Sequence, residues 1–185
     1  MALTYTPQAD IGQACPPFSL PGVDGKTYSL QDLPPASPKV IMFICNHCPY
    51  VQAVEDRLIQ LAREMGERGV SFVAISSNDP EDYPEDNFEN MKKRAEAKSY
   101  PFPYLQDLTQ EVAQAFGAVC TPDFFVYDGD NRLAYRGRLD DSWKDPSQVQ
   151  RQELKEALEA LLQGQQPSSE QIPSMGCSIK WKKTP

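Results

Sequence analysis

The chain is poor in histidine, basic charge and long apolar runs, and each shortage removes a class of function. Eighteen Lys and Arg stand against 26 Asp and Glu, a formal net charge of −8, so the basic footprint that displaces counterions from nucleic acid is missing. No stretch approaches the roughly 20 consecutive apolar residues of a membrane span; the longest run, Val40 to Cys45, has six. Met1 to Asp10 is polar and lacks the charged segment followed by an apolar one that marks a secretory signal. The expectation is a cytoplasmic protein that engages neither nucleic acid nor membrane. Five cysteines in 185 residues are too few, too unevenly spaced and odd in number for a secreted disulfide framework. In a reducing compartment a close cysteine pair points instead to redox chemistry or metal.

What is present is the patterning of one α/β domain, long enough to bury a core without disulfide or metal staples. Phe18–Pro21 and Lys26–Leu30 flank an Asp24-Gly25 turn and read as a β-hairpin covering one edge of the core. Val40–Cys45 is apolar on both faces, hence a central buried strand. Val51, Val54, Leu58, Leu61 and Met65 follow at steps of three and four, one face of a helix that ends near Gly66 and Gly69. Val70–Ser76 is a second buried strand, parallel to the first across that helix. Beyond the acidic loop Asp79–Asp86, read as solvated, Phe88, Met91 and Ala95 mark a shorter helix, and Thr109–Phe116 another. Phe124–Tyr127 and Leu133–Arg136 form a second hairpin, and Leu154, Leu158, Leu161 and Leu162 stripe a last helix. The domain is expected to span 1–163, with 164–185 as a tail whose apolar end, Cys177–Trp181, is suited to docking. Arg136-Gly137-Arg138 with Asp140-Asp141 reads as a solvated strand end.

The chemistry lies in Cys45-Asn46-His47-Cys48, where the central strand gives way to a helix. A thiol near the first turn of a helix feels the partial positive charge of unpaired N–H groups, which favours thiolate over thiol. Cys45 is therefore expected to be the nucleophile. The two-residue spacing lets Cys48 attack a mixed disulfide on Cys45, releasing the partner and leaving a 45–48 disulfide. His47, the only histidine, is either a further source of thiolate stabilisation or a polar residue at an exposed helix start. Pro49 is tolerated in a first helical turn. Thr121-Pro122, opening a later strand, suggests a cis X-Pro bond beside the thiols and a backbone edge for an extended substrate.

From about Cys15 to Trp143 the chain resembles the thioredoxin fold, and more narrowly the peroxiredoxin-like proteins of the alkyl hydroperoxide reductase/thiol-specific antioxidant group that carry a thioredoxin-style pair. The resemblance rests on Pro17-Phe18-Ser19-Leu20 with Asp24-Gly25-Lys26, on Cys45-Asn46-His47-Cys48-Pro49, on Thr121-Pro122, and on Phe125-Val126-Tyr127-Asp128. It implies a central mixed β-sheet flanked by helices, with a cis Pro122 facing the thiols. It also implies Asn46, His47, Thr121 and Pro122 as residues supporting the catalytic Cys45 and Cys48. Peroxiredoxins resemble this chain with their peroxide-reactive cysteine at Cys48, a threonine three residues earlier and a proline seven earlier; here those places hold Cys45 and Ile41. Their activating arginine is missing, with Pro122 standing about there, so peroxide chemistry loses its electrostatic support. Thioredoxin itself resembles the chain with a tryptophan and a buried acid where Ile44 and Lys39 stand, which leaves the proton acceptor for the second thiol unnamed.

The expectation is a thiol–disulfide oxidoreductase working through Cys45 and Cys48. The runner-up is a peroxidase in which Cys48 becomes a sulfenic acid that Cys45 resolves. The rival class is metal binding or delivery by the pair with His47, Cys120 and Cys177, weakened by the lack of a second pair to complete a zinc site. Cys15 reads as an apolar filler, whereas Cys120 and Cys177 are candidate additional thiols, or else buried structural ones. No organic cofactor is implied. The partners are a protein or small-molecule disulfide or thiol, and an external reductant or oxidant.

Overall fold

The computed structural model describes residues 3–8 and 10–183. Expectations touching Met1, Ala2, Ala9, Thr184 and Pro185 lie outside the described residues. In chain order the elements are β1 (Leu3–Tyr5), β2 (Ser19–Pro21), β3 (Thr27–Ser29), β4 (Lys39–Phe43), α1 (Pro49–Glu67), β5 (Ser71–Ser76) and α2 (Phe88–Lys98). They continue with β6 (Tyr104–Gln106), α3 (Glu111–Phe116), β7 (Cys120–Thr121), β8 (Asp123–Tyr127), β9 (Leu133–Gly137), α4 (Glu153–Leu162) and β10 (Met175–Ser178).

The central sheet runs β6-β5-β4-β8-β9, parallel across β6-β5-β4 and antiparallel across β4-β8-β9. β4 is buried along its whole length because both faces are covered. By the two-residue period of a strand, Val40 and Met42 face one way and Ile41 and Phe43 the other. The first pair joins the cluster built with α1, α4 and Met91 of α2; the second packs with Phe116 of α3 and Phe125. The five apolar residues of α1 named from periodicity are all buried, each contributing about 1.5–3 kcal/mol by removal from water. The helix runs through Gly66, and Gly69, at φ +92°, turns the chain into β5.

Both expected hairpins form, β2 with β3 and β8 with β9. β6 is not apparent in the sequence, because Pro101 and Pro103 read as breakers. It is an edge strand, where prolines are tolerated, and the first hairpin covers it through a bridge from Gly22 to Leu105. The segment after α4 supplies β10, the middle strand of a second sheet, β1-β10-β7. Ile179 is buried, but Trp181 is 41% exposed, so the docking stops short of the tryptophan.

Two charged segments read as solvated are corrected. Arg136 is buried and ion-paired at 2.8 Å to Asp123, while Arg138 bonds Glu153 of α4. Asp79 and Asp86 of the acidic loop are likewise buried. Among the described residues no helix is long and apolar enough to cross a membrane.

Candidate functional site

β4 ends at Phe43 and α1 begins at Pro49, so 44–48 form a connection beneath the β7 loop. The N-cap of α1 is Cys48, which corrects the expectation that Cys45 would sit at the helix start. Pro49 takes the first helical position, where its missing N–H is no loss. Cys48 therefore sits at the positive end of the helix.

Both thiols are buried and meet the Thr121-Pro122 loop, whose peptide bond is cis. Cys45 Sγ lies 3.4 Å from the Thr121 hydroxyl, and Cys48 Sγ lies 3.2 Å from the Thr121 carbonyl, to which the protonated thiol donates. The two cysteines influence each other in opposite directions. Interaction with Cys45 holds Cys48 below the ordinary thiol range; burial opposes this, and Cys177 and Thr121 add to it. Cys45 is pushed up by its interaction with Cys48, by burial and by the charge of Asp86. Helix cap and neighbours thus favour charge at Cys48 over Cys45.

Asp86 is the residue that sequence reasoning missed. Its Oδ1 accepts the backbone N–H of Asn46 at 2.7 Å and of His47 at 3.3 Å, and its Oδ2 accepts from Asn78 at 2.8 Å. The same oxygen meets His47 Nδ1 at 2.5 Å. No local signal marks this acid, since its partners at 46 and 47 are some 40 residues away and it closes a proline-rich acidic stretch. His47 is not at an exposed helix start: its side chain is 14% exposed and stacks on Tyr83. Nδ1 lies 4.0 Å from Cys45 Sγ. Asn46 is buried, giving its side-chain amide to Glu85 O and taking the Tyr104 hydroxyl at 3.2 Å. These bonds hold the connection rigid around the thiols.

The remaining cysteines separate. Cys15 packs with Phe18 and Phe116 in the second core cluster, and burial pushes its thiol up to about 12. Cys120 is fully buried, its sulfur 3.8 Å from Pro122 O, and burial raises its thiol. Cys177, opposite Thr121 across β10 and β7, packs in the same core cluster as Cys48. Burial and the influence of Cys48 push its thiol up to about 12. Lys39, at the far end of β4, gives its amine to Ser37 O and is remote from this chemistry.

One potential ligand set exists among the described residues: Cys45 Sγ, His47 Nδ1 and an Asp86 oxygen lie within 4.8 Å of one another. It differs from the set expected with Cys120 and Cys177. Both Asp86 oxygens are already occupied by N–H donors, which suits a structural anchor. A pocket of about 170 Å³ opens beside Pro122, lined by Tyr50, Val54, Phe124, Trp143 and Met175 among others.

A family model described as the AhpC/TSA family matches residues 11–136. The crystal structure of an uncharacterized conserved protein from Geobacillus kaustophilus is 49% identical, with 100% of this chain and 99% of that one covered and a TM-score of 0.95. A hypothetical protein from Sinorhizobium meliloti 1021 is 36% identical over 98% of this chain and 100% of that one, at a TM-score of 0.92. A peroxidoxin, BcpB, from Mycobacterium tuberculosis is 25% identical over 67% of this chain and 82% of its own, at 0.56. More distant thiol–disulfide oxidoreductases share the thioredoxin-like fold. No curated protein matches the chain.

Proposed function

The chain belongs to the AhpC/TSA family, and from that premise we propose that it is a thiol–disulfide oxidoreductase in which Cys48 attacks and Cys45 resolves. The family and its structural neighbours support redox chemistry at large. The observation that carries the finer reading is the placement of two buried thiols on one residue of the cis-proline loop, Thr121, with Cys48 at the cap of α1 and Cys45 off the helix.

In the first step the Cys48 thiolate attacks one sulfur of a substrate disulfide. A Cys48–substrate bond forms, the substrate S–S bond breaks, and the leaving thiolate takes a proton. Cys45 then attacks Cys48 Sγ, which releases the second substrate thiol and leaves a 45–48 disulfide. The substrate gains two electrons and the pair loses two. Cys45 must lose its proton in this second step, and the His47–Asp86 pair stands beside it: His47 Nδ1, 4.0 Å from Cys45 Sγ, gives its proton to the Asp86 carboxylate, so the pair can take up the thiol's proton by passing its own to Asp86. The apolar pocket beside Pro122 suits a side chain flanking the substrate disulfide. An external reductant regenerates the dithiol, and no organic cofactor is required.

Stopped-flow mixing of the reduced protein with a small protein disulfide and, separately, with hydrogen peroxide tests this, with intact-mass analysis of each product. Fast disulfide reduction with a 45–48 bridge is expected. Cys48→Ser should abolish it, and Cys45→Ser should trap the mixed disulfide. Slow disulfide reaction with rapid sulfenic acid formation at Cys48 would replace this reading with the peroxidase one, which shares the thiolate at the helix cap. Stoichiometric metal in the purified protein, lost on replacing Cys45 or His47, would favour the metal reading.

A further inference from the structure

β7 is two residues long, Cys120–Thr121, and ends on the residue that meets both thiols, just ahead of the cis bond to Pro122. An extended peptide approaching these sulfurs would add a strand to the edge of β7, the usual way a backbone edge takes up a peptide. That edge is occupied by β10, antiparallel, with Cys177 opposite Thr121 and Ser178 opposite Cys120. The fit is close: a Cβ placed on Gly176 would lie 1.9 Å from the Thr121 carbonyl oxygen. Ser174 Oγ donates to Pro122 O at 2.7 Å on one side, and Ile179 N donates to Val119 O at 3.0 Å on the other. The cysteine of this strand is set beside the thiol that caps α1: Cys48 Sγ lies 3.2 Å from the carbonyl of Thr121, the residue opposite Cys177, and the two cysteines pack in one core cluster.

We propose that β10 is a tethered substrate strand whose Cys177 is a third exchange thiol, able to convert the 45–48 disulfide into a 48–177 disulfide. The proposal rests on the exchange reading above. In the step itself the Cys177 thiol gives up its proton and its sulfur attacks Cys48 Sγ. The 45–48 bond breaks, the 48–177 bond forms, and Cys45 leaves as a thiolate that takes up a proton. No electron enters or leaves the chain, so no further oxidant is needed once the first disulfide exists. Formation of the 45–48 bond also removes the Cys48 charge, one of the influences that hold the Cys177 proton in place. Cys120, on the same loop, has its sulfur directed at Pro122 O and takes no part.

The test uses the full chain and diamide, an azo oxidant that takes two electrons per disulfide formed. Reduced Cys45→Ser protein is treated with one equivalent, quenched in acid, capped with N-ethylmaleimide and mapped by proteolysis and mass spectrometry. The expected product is a monomer in which the peptide holding Cys48 is linked to the peptide holding Cys177, with Cys120 recovered capped. Cys45→Ala should give the same link. Absence of the link from both variants, with Cys177 recovered capped or Cys48 paired between molecules, overturns the proposal. The exchange reading is judged separately, on the unmodified protein: if a substrate disulfide leaves no 45–48 bond there, that reading fails whatever Cys177 does.

Discussion

A thiol that caps a helix beside a second thiol keeps its charge at acidities where ordinary thiols are protonated. The folded value of Cys48 lies below its unfolded one. The stabilisation it gives the reduced protein is therefore fully present above the ordinary thiol range and is lost as pH falls through the folded value. Alkylation of Cys48 by iodoacetamide, followed by mass mapping from pH 5 to 9, should accordingly stay nearly flat down to about pH 6, well under the ordinary thiol value. Cys15 and Cys120, raised by burial, should stay silent over that range. A Cys48 profile that rises tenfold per pH unit up to pH 8 would return the nucleophile to Cys45. Asp86→Asn removes the carboxylate that orients His47, and should lengthen the life of the Cys48–substrate mixed disulfide by about 10²-fold, the lower range for a positioned base. The first, Cys48-dependent step should change far less. At this scale Cys45, Cys48 and the Thr121-Pro122 partner were legible, because each belongs to a short motif with its own chemistry. Asp86 was not, since its role exists only once a distant loop folds over residues 46 and 47.

Among elements, the seat of β10 on β7 depends on the bareness of Gly176. Gly176→Ala drives a methyl group into the Thr121 carbonyl, and the strand must retreat. The expected cost is about 1–3 kcal/mol, as for other overpacked sites, read as a lower melting temperature. Cys48 should then be alkylated about tenfold faster, as local opening uncovers it. Unchanged protection would show that something other than β10 covers the thiol. The elements that could be read from the sequence were those with a clear period, β4 and β5 with two covered faces and α1 with its one-sided stripe. β6 was obscured by prolines that an edge strand tolerates. β1, β7 and β10 were obscured because each is at most four residues long and finds its partners far away in sequence.

For the molecule as a whole, the two candidate disulfides have unequal consequences. A 45–48 bond closes a loop of four residues and constrains the unfolded chain little. A 48–177 bond closes a loop of about 130 residues, which on chain-entropy grounds stabilises by about 4–5 kcal/mol. In a protein of this size that raises the melting temperature by on the order of 10 °C. Calorimetry of oxidised Cys45→Ser protein with and without reductant should show the difference, and equal melting temperatures would mean that the long loop is not closed.

β10 also sits at the extreme of sequence separation, its partners running from Leu3, near one end of the chain, to Thr121. Contacts so distant carry the largest loop-closure cost and tend to form late in folding. The central sheet, with α1 already capped by Cys48, can therefore assemble before this strand is seated. In that interval the molecule carries an open strand edge and a reactive thiolate side by side, a combination that invites both misassembly and stray mixed disulfides. Seating the last strand closes both hazards in one movement.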